Sequence, residues 1–185
     1  MGRVGRLVCL ALLMGGGSVP LAAQDGDNIG HEIFENVSAH FHTVFLVAGL
    51  TLDHWPGRQG RWDTSLRAAD ALLVGTAATI ALKAITLSPR PDTSTRNSFP
   101  SGHTSSAFAV ATVQAAYHPD EAVYWYTGAA LIGASRVGLG RHRWADVIGG
   151  AAVGFLAGRW SLQSDGLLLA PLWGSGPGIA AAIRF

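Results

Sequence analysis

The uncharged stretches of this chain have the length of buried helices, and charged residues bound each of them. Residues 71–82, 122–135 and 147–158 are uncharged runs of twelve, fourteen and twelve residues, and residues 36–52 form a run of seventeen that includes polar side chains. A helix that crosses a membrane needs roughly 20 consecutive apolar residues. We therefore predict an all-α fold, a compact helical bundle. The run lengths favour a soluble or surface-associated protein and leave integral membrane insertion open.

Proline, glycine and capping residues predict where the helices begin and end. We expect one helix within residues 25–59 and four more, at about 63–88, 102–118, 120–137 and 141–162. In the last of these, Gly150, Gly154 and Gly158 recur every four residues. A stripe of small residues lets two helix backbones approach closely, so this helix should pack tightly against a neighbour.

The two ends of the chain differ from the predicted bundle. Arg3 and Arg6 precede an apolar run, and small residues at 22–23 then lead into polar sequence, which is typical of a secretory signal peptide. Near the other end, two short apolar runs flank the Gly/Pro-rich segment 174–178, which indicates a short β-hairpin. We predict a signal peptide over residues 1–23, a helical domain over 24–165 and a hairpin tail over 166–185 packed on that domain. Such a protein would be exported to the periplasm or the cell envelope.

The composition excludes several classes of protein. Thirteen basic and twelve acidic residues give a formal net charge of +1, which is too balanced for a nucleic-acid-binding surface. A single cysteine, Cys9, excludes a disulfide framework. Five histidines have no spacing typical of metal ligands, so we predict no metal site; they are His31, His40, His42, His54 and His118.

Three clusters of polar residues lie at the predicted helix boundaries. Lysine and arginine side chains bind tetrahedral oxyanions, and the backbone N–H groups at the start of a helix add further donors for an anion. The clusters are Lys83 with Arg90-Pro91, then Pro100-Ser101-Gly102-His103, then Ser135-Arg136 with His142 and Asp146. Taken one by one, these residues have ordinary structural explanations; taken together, they predict a site for a phosphate-like anion.

The third cluster also carries a nucleophile. His142 and Asp146 are four residues apart, which predicts that they share one face of a helix. The carboxylate would then hold one ring nitrogen and leave the other free to attack. His103 remains as an acid that can protonate a leaving oxygen. Ser135 is left open between a structural cap and a functional role.

The three clusters resemble the signature of the type-2 phosphatidic acid phosphatase and vanadium haloperoxidase superfamily, K-x6-R-P, P-S-G-H and S-R-x5-H-x3-D. The resemblance covers residues 83–146. It implies a helical bundle and a phosphatase that needs no metal or other cofactor. It also implies His142 as the phosphohistidine nucleophile, Asp146 as its orienting group and His103 as the general acid. The implied phosphate-binding residues are Lys83, Arg90, Ser101, Gly102 and Arg136.

The resemblance leaves the substrate open between a phosphorylated lipid and a small phosphate ester, with a membrane surface as a further partner and no nucleic acid. One alternative is a haloperoxidase that holds vanadate as its cofactor in the same pocket, whereas in a phosphatase vanadate would be an inhibitor. A less favoured alternative is an envelope protein that binds phosphate without turnover. The sequence leaves the oligomeric state open.

Overall fold

The part of the chain that the structure describes is mainly helical. A computed structural model describes residues 26–55, 62–93, 95–164, 169–172 and 178–181. The prediction of an all-α bundle is confirmed. The helices are α1 (Gly26–Asn36), a π-helical turn (Val37–Phe41), α2 (His42–Thr51), a 3-10 turn (Leu52–His54), α3 (Trp62–Thr86), α4 (Gly102–Tyr117), a 3-10 turn (Pro119–Glu121), α5 (Ala122–Gly138) and α6 (Trp144–Gln163).

Two short strands follow the helices. β1 (Leu169–Leu172) and β2 (Gly178–Ala181) pair in antiparallel fashion, with Leu169 opposite Ala181 and Leu172 opposite Gly178. The predicted hairpin is therefore present in the backbone. The predicted signal peptide lies outside the described residues, and the domain boundaries at 23–24 and 165–166 stay predictions.

Helix α4 lies at the centre of the bundle, where it packs against α3, α5, α6 and α2. One of its faces buries Ala107, Val110 and Ala111 in a cluster with aromatic and aliphatic side chains of α2 and α5. Another face buries Ala109 and Val113 against alanines of α3. Because so many of these residues are small, the neighbouring helices approach α4 closely.

The glycine stripe of α6 faces α4. A Cβ atom at Gly154 would lie 2.8 Å from the backbone nitrogen of Ala109, and one at Gly158 would lie 2.6 Å from the Cβ atom of Thr112. These distances leave no room for a methyl group. The predicted tight helix contact is confirmed, and its partner is α4.

The outer surface of the bundle carries large apolar side chains, whereas hydroxyl and amide groups lie inside. Ile80 is 63% exposed and Ile148 is 66% exposed, while Thr79, Ser105 and Gln114 are buried. By length and composition, α3 could cross a membrane. A core helix of a soluble protein can pass the same test, so this finding alone is weak evidence.

Candidate active site

The three predicted clusters meet at one end of the bundle. There α3 and α5 end, and α4 and α6 begin. His142 lies close enough to Lys83, Arg90 and Arg136 for all three cations to act on its ionisation. Residues that are up to 63 positions apart in the sequence, 83 to 146, thus surround one site.

The start of α6 differs from the prediction, and so does the relation between His142 and Asp146. The helix begins at Trp144 with Arg143 as its N-cap, so His142 lies before the helix rather than on a shared face. The carboxylate of Asp146 accepts the backbone N–H of Arg143 at 2.9 Å. A carboxylate at the third helical position satisfies an N–H that has no partner within the helix, which fixes the helix start after His142.

His142 is held in place by its backbone and by its ring. Its backbone N–H donates to the carbonyl oxygen of Arg136 at 3.1 Å, which ties the nucleophile candidate to the end of α5. Its Nδ1 atom lies 3.6 Å from Oδ2 of Asp146. This places Nδ1 towards the carboxylate and leaves Nε2 as the other ring nitrogen.

Ser98 is a residue of the site that the sequence reasoning missed. Its hydroxyl donates to Oδ2 of Asp146 at 2.6 Å, and its oxygen lies 3.4 Å from Nδ1 of His142. The side chain is fully buried. Ser98 therefore lies between the carboxylate and the imidazole. It stands in a loop two residues before Pro100, where no periodic pattern distinguishes it.

The surroundings of His142 keep its imidazole neutral. Burial lowers its pKa to about 4, and the cations Arg90, Lys83 and Arg136 act in the same direction, while Asp146 opposes them. A neutral imidazole has a free lone pair and can act as a nucleophile. At pH 7 the ring is therefore in the form that nucleophilic attack requires.

The three cations contact the site in different ways. Lys83 Nζ donates to the carbonyl oxygens of Asn97 at 2.5 Å and Ser98 at 3.3 Å, which fixes the loop that carries Ser98. The Nε atoms of Arg90 and Arg136 are buried and have no hydrogen-bond partner among the described residues. A buried charged donor without a partner is costly, and a bound oxyanion would satisfy both.

Ser101 and Gly102, the predicted phosphate-binding pair, stand at the start of α4. The backbone N–H of Ser101 donates to the carbonyl oxygen of Asp146 at 2.8 Å, so it joins the starts of α4 and α6. At Gly102 an added Cβ atom would meet only a methyl group of Thr79, at 3.9 Å. The space beside Gly102 is therefore open to a ligand.

His103 lies on the other side of the site, next to a cavity. Burial lowers its pKa to about 3, and Arg136, His42 and His142 add to the shift. The cavity measures about 360 Å³, and its walls include His103 and Arg136 as well as polar side chains of α1, namely Glu32, Glu35 and Asn36. The cavity leaves room beside His103 for part of a ligand.

Ser135, which the sequence left open, and two arginines near the site make structural contacts. Ser135 donates to the carbonyl oxygen of Ile132 at 2.8 Å, within its own helix. Arg143 donates to the carbonyl oxygen of Pro89 at 2.8 Å, and Arg141 lies 3.9 Å from Asp92. Within the described ranges, no group of three or more His, Cys, Asp or Glu side chains is placed to hold a metal ion.

Comparison with known proteins gives one family. The family model described as the PAP2 superfamily matches residues 64–167. A segment of 73 residues is 47% identical to a lipid A 1-phosphatase of Porphyromonas gingivalis, and it covers 37% of this chain and 16% of that relative.

Two solved structures share the fold. LpxE of Aquifex aeolicus has a TM-score of 0.51 and 27% identity over 72% of this chain and 94% of its own. A transmembrane PAP2-type phosphatidylglycerolphosphate phosphatase from Bacillus subtilis has a TM-score of 0.55 and 21% identity, over 88% of this chain and 86% of its own. At that identity the second likeness concerns the fold alone.

Proposed function

Because the chain belongs to the PAP2 superfamily, we propose that it is a phosphatase that hydrolyses phosphate esters of lipids through a phosphohistidine on His142. One observation carries the proposal. A neutral, buried imidazole lies beside Arg90 and Arg136, whose buried Nε atoms find no partner in the described part of the chain. This combination provides a nucleophile and the charges that hold a phosphoryl group.

In the first step, Nε2 of His142 attacks phosphorus in line with the leaving oxygen. The N–P bond forms as the P–O bond breaks, and His103 gives its proton to the departing oxygen. Lys83, Arg90 and Arg136 stabilise the charge on the other three phosphoryl oxygens, which is expected to be the largest single catalytic effect. Asp146 and Ser98 stabilise the cationic ring of His142 that results.

In the second step, water attacks the phosphorus of the phosphohistidine. His103, now neutral, takes a proton from the water, the N–P bond breaks and inorganic phosphate leaves. The low pKa of His103 in the empty site keeps its ring neutral, which is the form that can accept a proton. The proton for the first step therefore arrives with the substrate. His103 can hold that proton because the negative charge of a bound phosphate offsets the nearby cations.

We propose that the reaction needs no metal or other cofactor. Three cationic side chains supply the positive charge that a metal provides in other phosphatases. Vanadate, which adopts the geometry of the phosphoryl transition state, would then be an inhibitor bound by the same cations.

The substrate class is proposed to be a phosphorylated lipid. The relative from P. gingivalis is a lipid A 1-phosphatase. The apolar outer surface of this chain, such as the exposed Ile80 and Leu156, suits contact with lipid. We therefore place the enzyme at a membrane of the cell envelope, with α3 as the described helix that could cross it.

The test is a substrate panel on the purified chain in mild detergent. The panel holds p-nitrophenyl phosphate, glycerol phosphate, phosphatidylglycerolphosphate and lipid A, each with and without EDTA. We expect EDTA to leave turnover unchanged and vanadate to inhibit it. Turnover should be higher on the lipid substrates than on the small esters. His142→Ala should abolish turnover, while His54→Ala, outside the site, should not change it.

Other outcomes of the panel would contradict separate parts of the proposal. Loss of turnover in EDTA would contradict the metal-free reaction, and a preference for glycerol phosphate would contradict the lipid substrate. Halide oxidation that depends on vanadate and peroxide would replace the phosphatase assignment. Recovery of the protein from the soluble fraction without detergent would contradict the membrane location.

A further inference from the structure

The N-terminal helices reach the catalytic groups although they precede the segment that the family model matches. That segment begins at residue 64. Ser38, which is buried, accepts a hydrogen bond from Nη1 of Arg136, and the ring of His42 lies against the ring of His103. The three sequence clusters therefore do not contain every residue that touches the catalytic side chains.

Both residues are presented by the turn that joins α1 to α2. Val37–Phe41 forms a π-helical turn, and the backbone N–H of His42 bonds back to the carbonyl oxygen of Val37. π-helical turns are rare and occur often at functional sites. Here the turn directs Ser38 and His42 towards the same end of the bundle.

His42 makes two contacts that hold His103. The centres of the two rings are 4.5 Å apart, with their planes at 40°. Nε2 of His42 also lies 2.8 Å from Oγ of Ser106, one turn further along α4. Ser106 in turn donates to the carbonyl oxygens of Gly102 at 3.0 Å and His103 at 3.1 Å.

The hydrogen bonds of Ser106 are compatible with one tautomer of His42. A serine hydroxyl has one proton, and Ser106 can direct it to a backbone carbonyl in the first turn of α4. In that arrangement Nε2 of His42 is the donor to Ser106. A ring held by this bond cannot rotate freely, so it forms a fixed wall against one face of His103.

We propose that His42 is a positioning residue for the general acid: it holds His103 in the orientation that delivers a proton to the leaving oxygen. The inference rests on the proposed function, because it concerns the proton-transfer step of that reaction. In this role His42 acts through His103 and not on the phosphate itself.

The leaving group provides the test. An aliphatic alkoxide needs a proton to depart, whereas p-nitrophenolate departs readily without one. His42→Ala should therefore lower kcat on glycerol phosphate by about 30-fold, a part of the 10²–10⁴-fold that general acids contribute. On p-nitrophenyl phosphate the loss should stay below about 3-fold.

Three further variants separate positioning from folding. His42→Gln keeps an amide N–H that can reach Ser106, and it should restore part of the lost activity on glycerol phosphate. His42→Phe keeps a ring but no donor, and it replaces His42→Ala if that variant does not fold. Thr43→Ala, next to His42 and exposed, should match the wild type on both esters.

The ratio of the two losses decides the proposal. Equal losses on both esters, or no loss on either, would overturn the role of His42 while leaving the phosphatase assignment intact. A wild-type protein that hydrolyses neither these esters nor the lipid phosphates of the substrate panel would overturn the proposed function and the role of His42 with it.

Discussion

Two helix contacts enclose the site, and they are built from different atoms. Helix α6 lies against the backbone of α4, where a Cβ atom at Gly154 would stand 2.8 Å from the nitrogen of Ala109. Helix α1 lies against α5 through a ring, where a Cβ atom at Gly138 would stand 2.8 Å from Cζ of Phe34. In the first contact the backbones of α6 and α4 lie against each other. In the second, the side chain of Phe34 lies against Gly138.

The two contacts tolerate substitutions to different degrees. A backbone atom moves only if its whole helix moves, whereas a ring can rotate about its side-chain bonds. The rigid contact joins the helices that carry His103 and Asp146. The adjustable contact joins α1, which precedes His42, to the end of α5. Substitutions at the rigid contact should therefore be far more damaging than those at the adjustable one.

The largest effect is expected from Gly154→Ala. The added methyl group would collide with the backbone of α4, and overpacking of a rigid contact costs about 1–3 kcal/mol or more. We expect the free energy of unfolding to fall by about 3 kcal/mol and activity to fall with it. Urea unfolding monitored by tryptophan fluorescence gives the measurement, and a loss below about 1 kcal/mol would show that the contact is looser than described.

Gly102→Ala should separate activity from stability at the start of α4. The methyl group would meet only Thr79 at 3.9 Å, so the protein itself has room for it. Replacing glycine at a compatible position stabilises by about 0.4–1 kcal/mol. We expect kcat/KM on p-nitrophenyl phosphate to fall by about 100-fold, as small displacements of a bound substrate can cost that much.

A wild-type rate in Gly102→Ala would contradict the placement of the phosphate beside this glycine. A loss of stability in the same variant would instead show that the space beside Gly102 is filled by protein. The thermal unfolding midpoint, measured with and without vanadate, distinguishes the two results.

The pH dependence of kcat/KM depends on the protonation states of His142 and His103. His142 must be neutral to attack, and burial lowers its pKa to about 4, so this form is lost only as the pH falls through about 4. His103 must carry a proton, which becomes harder to supply as the pH rises. We expect a bell-shaped profile of kcat/KM with its optimum on the acid side of neutrality. An acid limb near pH 6.5, the ordinary pKa of histidine, would contradict the surroundings of His142.

The smallest effect is expected from Gly138→Ala. The ring of Phe34 is 37% exposed and can swing towards solvent, and alanine favours a helix over glycine by about 1 kcal/mol. The free energy of unfolding should change by less than about 1 kcal/mol. A destabilisation as large as that of Gly154→Ala would erase the contrast between the two contacts.

The rigid contact and the meeting of the three clusters at one end of the bundle could be predicted from the sequence, because both depend on spacing. The glycines of α6 recur every four residues, and the cationic and histidine residues stand at fixed intervals near helix ends. Regular spacing translates directly into position on a helix. For that reason the sequence predicts the tight packing of α6 but not its partner, α4.

The contacts of His42 and Ser98 could not be predicted, because they join residues that are far apart in the sequence. His42 and Ser106 are 64 positions apart, and Ser98 and Asp146 are 48 positions apart. No periodic pattern links such pairs. The start of α6 was mispredicted for a local reason: Asp146 serves as a helix cap as well as a partner of His142, and the sequence alone does not rank the two roles.

The central claim is that His142 becomes phosphorylated during turnover. The most direct measurement mixes the His103→Ala variant with p-nitrophenyl phosphate, whose leaving group needs little acid assistance. The reaction is quenched in alkali, and the phosphorylated residue is located by mass spectrometry. We predict one phosphoryl group on His142, stable in alkali and lost in acid, because without His103 the hydrolysis of the intermediate is slowed. Two results would contradict this claim. One is turnover by the wild type with no phosphoryl group on His142 of the variant, and the other is a phosphoryl group on another residue.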